Sequence, residues 1–106
     1  MTSRPPKAGR IALSIVVPCY DEAQGLPLFA ERMMAAAEVV ARGAYELILI
    51  NDGSRDATWQ VIRGLTERHA CVVGVNLTRN HGHQLTVTAG LSLARGARVL
   101  VIDADL

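Results

Sequence analysis

Two carboxylates, Asp103 and Asp105, stand one residue apart behind the apolar run Val99-Leu100-Val101-Ile102. In extended backbone, alternate side chains lean to the same side, so both would face one space. They repel each other there unless a cation or a proton is shared. A hard divalent ion such as Mg²⁺ or Mn²⁺ satisfies both and keeps positions open for diphosphate oxygens. Asp-x-Asp alone also suits an exposed turn; the apolar strand before it favours the metal.

Three more clusters follow apolar runs. Pro18-Cys19-Tyr20-Asp21-Glu22 follows Ile11 to Val17, Asn51-Asp52-Gly53-Ser54 follows Leu47 to Ile50, and Thr78-Arg79-Asn80-His81-Gly82-His83-Gln84 follows Cys71 to Leu77. Asp52 precedes a glycine able to turn the backbone sharply, and its carboxylate can accept from the ring N–H groups of uracil or guanine; a plain turn is the alternative. Pro18 and Tyr20 could wall a base or ribose, and Glu22 could accept from ribose hydroxyls. Equally, Pro18 could stop a strand and Glu22 could favour a helix start. Arg79 offers a fixed fork of donors for a diphosphate. His81 and His83 lack the further nearby ligands a zinc site needs.

The elements between these clusters alternate. Strands are expected at Ile11–Val17, Glu46–Asn51, Cys71–Leu77 and Arg98–Ile102. Helices are expected at Leu26–Arg42, with Phe29, Met33, Ala37 and Val40 on its buried face and Gly43 as a stop, at Asp56–His69, with Asp56 as N-cap and Trp59, Ile62 and Leu65 buried, and at Gln84–Arg95. Thr86, Val87, Thr88 and Gly90 weaken the third helix; Gly90 either lets it approach the sheet or is a bare propensity cost. The pattern predicts an α/β fold, a partial doubly wound parallel sheet β-α-β-α-β-α-β with strand order 3-2-1-4. Right-handed crossovers put the first two helices on one face and the third on the other. All four clusters then fall at the carboxyl ends of the strands, around the switch point where such sheets bind ligands.

Eleven Lys and Arg against ten Asp and Glu leave no excess of positive charge for nucleic acid. Residues 1–10, with Pro5, Pro6 and Gly9, read as a flexible leader. The apolar run that follows it is broken by Ser14 and Pro18 and is too short for a membrane span. Cys19 and Cys71 fall at opposite ends of parallel strands, roughly 17–20 Å apart, beyond disulfide reach. A reducing cytoplasm is expected.

No Gly-x-Gly-x-x-Gly or Gly-x-x-x-x-Gly-Lys-Ser/Thr is present, against a nicotinamide dehydrogenase or a P-loop nucleotidase. A pyrophosphorylase would need a glycine-rich, basic first loop, where Asp21 and Glu22 stand. A phospho-receiver domain would need an acid where Thr78 and Arg79 stand. A receiver-like or non-catalytic nucleotide-binding α/β domain remains the alternative class.

Pro18-Cys19-Tyr20-Asp21-Glu22 resembles the Pro-x-Tyr-Asn-Glu opening of family 2 glycosyltransferases of the GT-A fold. Asn51-Asp52-Gly53-Ser54 is similar to their Asp-Asp-Gly-Ser, and Asp103-Ala104-Asp105 to their Asp-x-Asp metal motif. Arg79-Asn80-His81-Gly82 before Ala89-Gly90-Leu91 looks like the polyprenyl-phosphate branch, typified by dolichol-phosphate mannosyltransferase. The resemblance implies nucleoside binding around Pro18, Tyr20 and Glu22, base reading by Asp52, and Mg²⁺ or Mn²⁺ on Asp103 and Asp105. It implies a UDP- or GDP-sugar donor, a lipid-phosphate acceptor, and inversion at the sugar. It places the catalytic base, the acceptor site and any membrane-associated helices after the Asp-x-Asp motif. Residues 11–106 would then be the nucleotide-sugar half of a domain cut after that motif, inactive alone, from an enzyme in the cytoplasm or on the cytoplasmic face of a membrane. Asp21 and Asn51 depart from the family pattern.

Overall fold

The computed structural model describes residues 2–3 and 10–104. Along the chain these form β1 (Thr2–Ser3), β2 (Leu13–Cys19), α1 (Leu26–Ala41), β3 (Tyr45–Asp52), α2 (Thr58–Arg68), β4 (Val72–Leu77), α3 (His83–Leu93) and β5 (Arg98–Val101). One sheet has the order β1-β4-β3-β2-β5. Its four parallel strands, β4-β3-β2-β5, follow the expected 3-2-1-4. The fifth was not expected. Thr2 and Ser3 pair antiparallel with Val75 and Gly74, so the leader reading does not describe these two residues. Two residues carry no periodicity that could announce a strand. Residues 1 and 4–9 of that leader, and Asp105 and Leu106, lie outside the described residues.

β3 is buried along its whole length, which explains its unbroken apolar run. Ile15, Val17, Leu47 and Leu49 meet Leu26 and Phe29 of α1 and Ile62 and Leu65 of α2 on one face. Val16, Ile48, Ile50, Val73 and Val75 form the core of the other face, where Leu93 of α3 packs. Burying each such large apolar side chain contributes about 1.5–3 kcal/mol before entropy is charged.

Pro27 lies in the first turn of α1, where its missing N–H costs nothing. Val40, expected on the buried face, is exposed; the buried stripe runs through Leu26, Phe29, Ala30 and Ala37 and reaches Ala41, leaving Val40 at its margin. The left-handed stop begins at Arg42, with φ 43°, one residue before Gly43. The N-cap of α2 is Ala57, not Asp56. Asp56 nonetheless does a capping residue's work from one position further out, accepting the Thr58 N–H at 2.9 Å and the Thr58 hydroxyl. These bonds, the hydroxyl foremost, hold the Asp56 carboxyl below its usual range. Trp59 is only half-buried.

Gly90 is decided by space. A Cβ there would stand 2.4 Å from Val16 Cγ1 and 2.6 Å from Ile50 Cδ1, so α3 lies on the sheet at a distance only glycine permits. At the opposite end of the sheet, buried Glu46 accepts from Ser14 Oγ at 2.7 Å and from the Arg95 backbone N–H at 2.8 Å. The Arg95 guanidinium lies 3.3 Å from its other oxygen. This staple fixes the turn from α3 into β5, and so the strand that leads to Asp103.

Candidate functional site

β2, β3 and β5 all end at the same edge, and their exit segments open a cleft of about 400 Å³ together with the start of α3. Pro18 and Cys19 end β2, and Tyr20 and Glu22 follow it. Asp52 ends β3, and Asp103 and Ala104 follow β5. Asn80 and Gly82, from the loop before α3, and His83, its first residue, close the wall. Of the residues singled out in the sequence, Pro18, Tyr20, Glu22, Asp52 and Asp103 are brought together. Arg79 is not on the wall. It is exposed, and its backbone carbonyl carbon lies 2.3 Å from where a Gly53 Cβ would be.

That close approach shapes the site. Gly53 has φ 66°, a left-handed turn that glycine adopts without penalty. A side chain there would strike the Arg79 and Asn80 backbone, so the loop before α3 can lie directly on it. Asp52 Oδ1 then accepts the His81 N–H at 2.7 Å, and Asn80 Nδ2 donates to the Asp52 carbonyl at 3.3 Å. With 5% of its surface exposed, Asp52 lines the cleft and also holds the loop carrying Asn80, Gly82 and His83. A place on the cleft wall and a bond to the loop are compatible at this position.

Asn51 donates through Nδ2 to Asn76 Oδ1 at 2.7 Å and accepts the Ser54 N–H at 3.2 Å. A carboxylate in the same place could accept from Ser54 but not donate to Asn76, so the amide fits this pair of strands.

Cys19, Asn80, Gly82, His83 and Ala104 were missed as cleft residues. Asn80 and His83 had a signal, lying in the polar cluster between β4 and α3. Cys19 and Ala104 had none, being buried apolar positions inside the same clusters. Burial, with the negative charge of Glu22 beside it, pushes the Cys19 thiol up to about 12. It stays protonated at neutral pH and is no nucleophile. Both cysteines are free.

Among the described residues no group of three His, Cys, Asp or Glu side chains converges on one point. Asp103 faces open cleft space. A hard divalent ion commonly takes only one or two protein carboxylates and completes its shell with phosphate and water oxygens, so the described half of the Asp-x-Asp motif fits such an ion. Asp105, its other half, lies outside the described residues.

Four parallel strands in this order, with a polar cleft at the switch point, define an α/β domain of the GT-A type. Residues 14–106 match the family description "Glycosyl transferase family 2", and the chain belongs to that family. It is 40% identical over 95 residues to an undecaprenyl-phosphate 4-deoxy-4-formamido-L-arabinose transferase of Pseudomonas paraeruginosa, covering 89% of this chain and 28% of that protein. It is 41% identical, with the same coverage, to the transferase of that name from Shewanella sediminis. Among solved structures it resembles mannosyltransferase PcManGT from Pyrobaculum calidifontis in complex with GDP-Man and Mn²⁺. That likeness has TM-score 0.73 and 28% identity, covering 92% of this chain and 28% of that one. TarS of S. aureus, at TM-score 0.76 and 22% identity over 90% of this chain, shares the fold. The chain thus spans about 28% of the length of the curated relatives it matches. Among the described residues no helix is long and apolar enough to cross a membrane.

Proposed function

We propose that this chain supplies the donor side of sugar transfer from a UDP- or GDP-sugar to a polyprenyl phosphate. The observation carrying the reading is one cleft lined by Pro18, Tyr20, Glu22, Asp52 and Asp103 from three strand exits. Asp52 accepts from the base, Pro18 and Tyr20 wall the nucleoside, and Glu22 takes the ribose hydroxyls. Asp103, with Asp105, holds Mg²⁺ or Mn²⁺ at the diphosphate. A cation bound there offsets the charge that builds on the departing nucleoside diphosphate. The α3 N-terminus at Gly82–His83 has no side-chain cap and opens on the same cleft, which favours an anion nearby. Arg79, exposed and off the wall, is the weakest member of the proposed set.

An acceptor phosphate oxygen attacks the anomeric carbon as the bond from that carbon to the diphosphate oxygen breaks, inverting the configuration. No residue of the cleft is assigned as a base, and an ionised phosphate acceptor needs none. The relatives' names, which specify undecaprenyl phosphate, support this acceptor class. Calorimetric titration with UDP, GDP and ADP in Mn²⁺ tests the donor assignment. Binding of UDP or GDP but not ADP is expected, and equal binding of all three would remove Asp52 from base reading.

A further inference from the structure

Asp21 points to a role that its neighbours Tyr20 and Glu22 conceal. It is exposed and is not on the cleft wall, yet it is one of two non-glycine residues with positive φ among those described, at 52°. Asp and Asn tolerate that conformation better than other side chains. The turn lies between two residues that do face the cleft.

The bonds around this turn run both ways between distant segments. The Asp21 N–H donates to Ser54 Oγ at 3.0 Å, the Glu22 N–H to Thr58 Oγ1 at 2.9 Å, and the Ala23 N–H to Asp56 Oδ2 at 3.2 Å. Three consecutive amides after β2 thus end on side chains of the stretch from Ser54 to Thr58, which leads from β3 into α2. In return Asp21 Oδ1 accepts the Arg55 N–H at 2.8 Å and the Asp56 N–H at 3.3 Å. Hydrogen bonds to an ionised acceptor are stronger than neutral ones. Asp21 thus reaches back with its own side chain.

We infer that Asp21 is a positioning residue, which locks the segment carrying Tyr20 and Glu22 to the segment carrying Asp52 and so sets the width of the nucleoside end of the cleft. The role rests on the proposed reading of that cleft as a nucleoside-diphosphate site. It acts through backbone placement, without contact with the ligand. It also accounts for the departure from Asn at this position, since either side chain presents an Oδ1 acceptor and accepts the left-handed turn.

Two substitutions separate the acceptor from the backbone conformation. Asp21→Gly keeps the turn and removes the acceptor; Asp21→Asn keeps both. Titrated with the nucleoside diphosphate that the wild type binds, in Mn²⁺, Asp21→Gly is expected to lose affinity roughly tenfold and Asp21→Asn to recover it. Binding of inorganic pyrophosphate with Mn²⁺, which engages the Asp103 end alone, stays at the wild-type level in both. Unchanged nucleotide affinity in Asp21→Gly overturns the role, as does an Asn variant as weak as the Gly variant. Equal losses for nucleotide and pyrophosphate also overturn it, since they mark general destabilisation. A wild type that binds no nucleoside diphosphate sinks the functional reading instead. The lock is then decided by amide exchange at Arg55, faster in Asp21→Gly if it exists and unchanged if it does not.

Discussion

Asp52 Oδ1 takes the backbone N–H of His81 at 2.7 Å, tying the exit of β3 to the loop that begins α3. One carboxylate therefore borders the cleft and shapes its far wall. Replacing it tests both roles. Asp52→Asn keeps an oxygen for His81 and loses the charge, so nucleoside-diphosphate binding should weaken by about 1–3 kcal/mol with pyrophosphate binding intact. Asp52→Ala also frees the loop, so both ligands should weaken. Calorimetry on the two variants decides, and a wild-type affinity in Asp52→Asn would remove base reading.

Gly90→Ala should destabilise the chain, although alanine is the better helix former by about 1 kcal/mol. The added methyl would stand 2.4 Å from Val16 Cγ1, and overpacking of this kind costs about 1–3 kcal/mol. A lower midpoint in urea is the expected result. A higher one would show that α3 can move off the sheet freely.

The alternation of apolar runs with punctuated helical stretches made the four parallel strands and their order legible, because burial on both faces writes itself into residues such as Leu47-Ile48-Leu49-Ile50. The pairing of Thr2–Ser3 was not legible, since two residues are too few to show a period. In the site, residue types marked Tyr20, Glu22, Asp52 and Asp103. Arg79 and Asn80 could not be told apart as wall residues without Gly53, whose bare Cα lets one backbone lie on another. The Glu46–Arg95 pair was equally hidden, because a charge inside an apolar strand shows its partner only in three dimensions.

Cys19 should resist alkylation in the native chain at pH 8, because its thiol is pushed up to about 12, mainly by burial. Its folded value is raised, so its contribution to stability is full below the unfolded value near 9 and is lost as pH rises toward 12. Cys19→Ala should flatten the fall in stability over that alkaline window. Iodoacetamide labelling with mass analysis, read against partly buried Cys71, checks the first point. Rapid native labelling of Cys19 would contradict it.

Among the described residues β5 is paired on one side only, and Val99, Leu100 and Val101 are 43%, 46% and 39% exposed. An apolar edge strand of this kind pairs with other chains. The 106-residue chain should self-associate and bind a hydrophobic dye such as ANS, and Leu100→Lys should shift it toward monomer. Sedimentation of a clean wild-type monomer without dye binding would show the edge to be harmless.

The most direct test is nucleoside-diphosphate affinity measured by calorimetry with Mn²⁺ and again in excess EDTA, beside Asp103→Ala. In the proposed donor site Asp103 would help hold a divalent ion that offsets the diphosphate charge. Binding should be clear in Mn²⁺, weak in EDTA, and equally weak in Asp103→Ala under both conditions. Equal wild-type affinity with and without the metal would contradict the account at its centre.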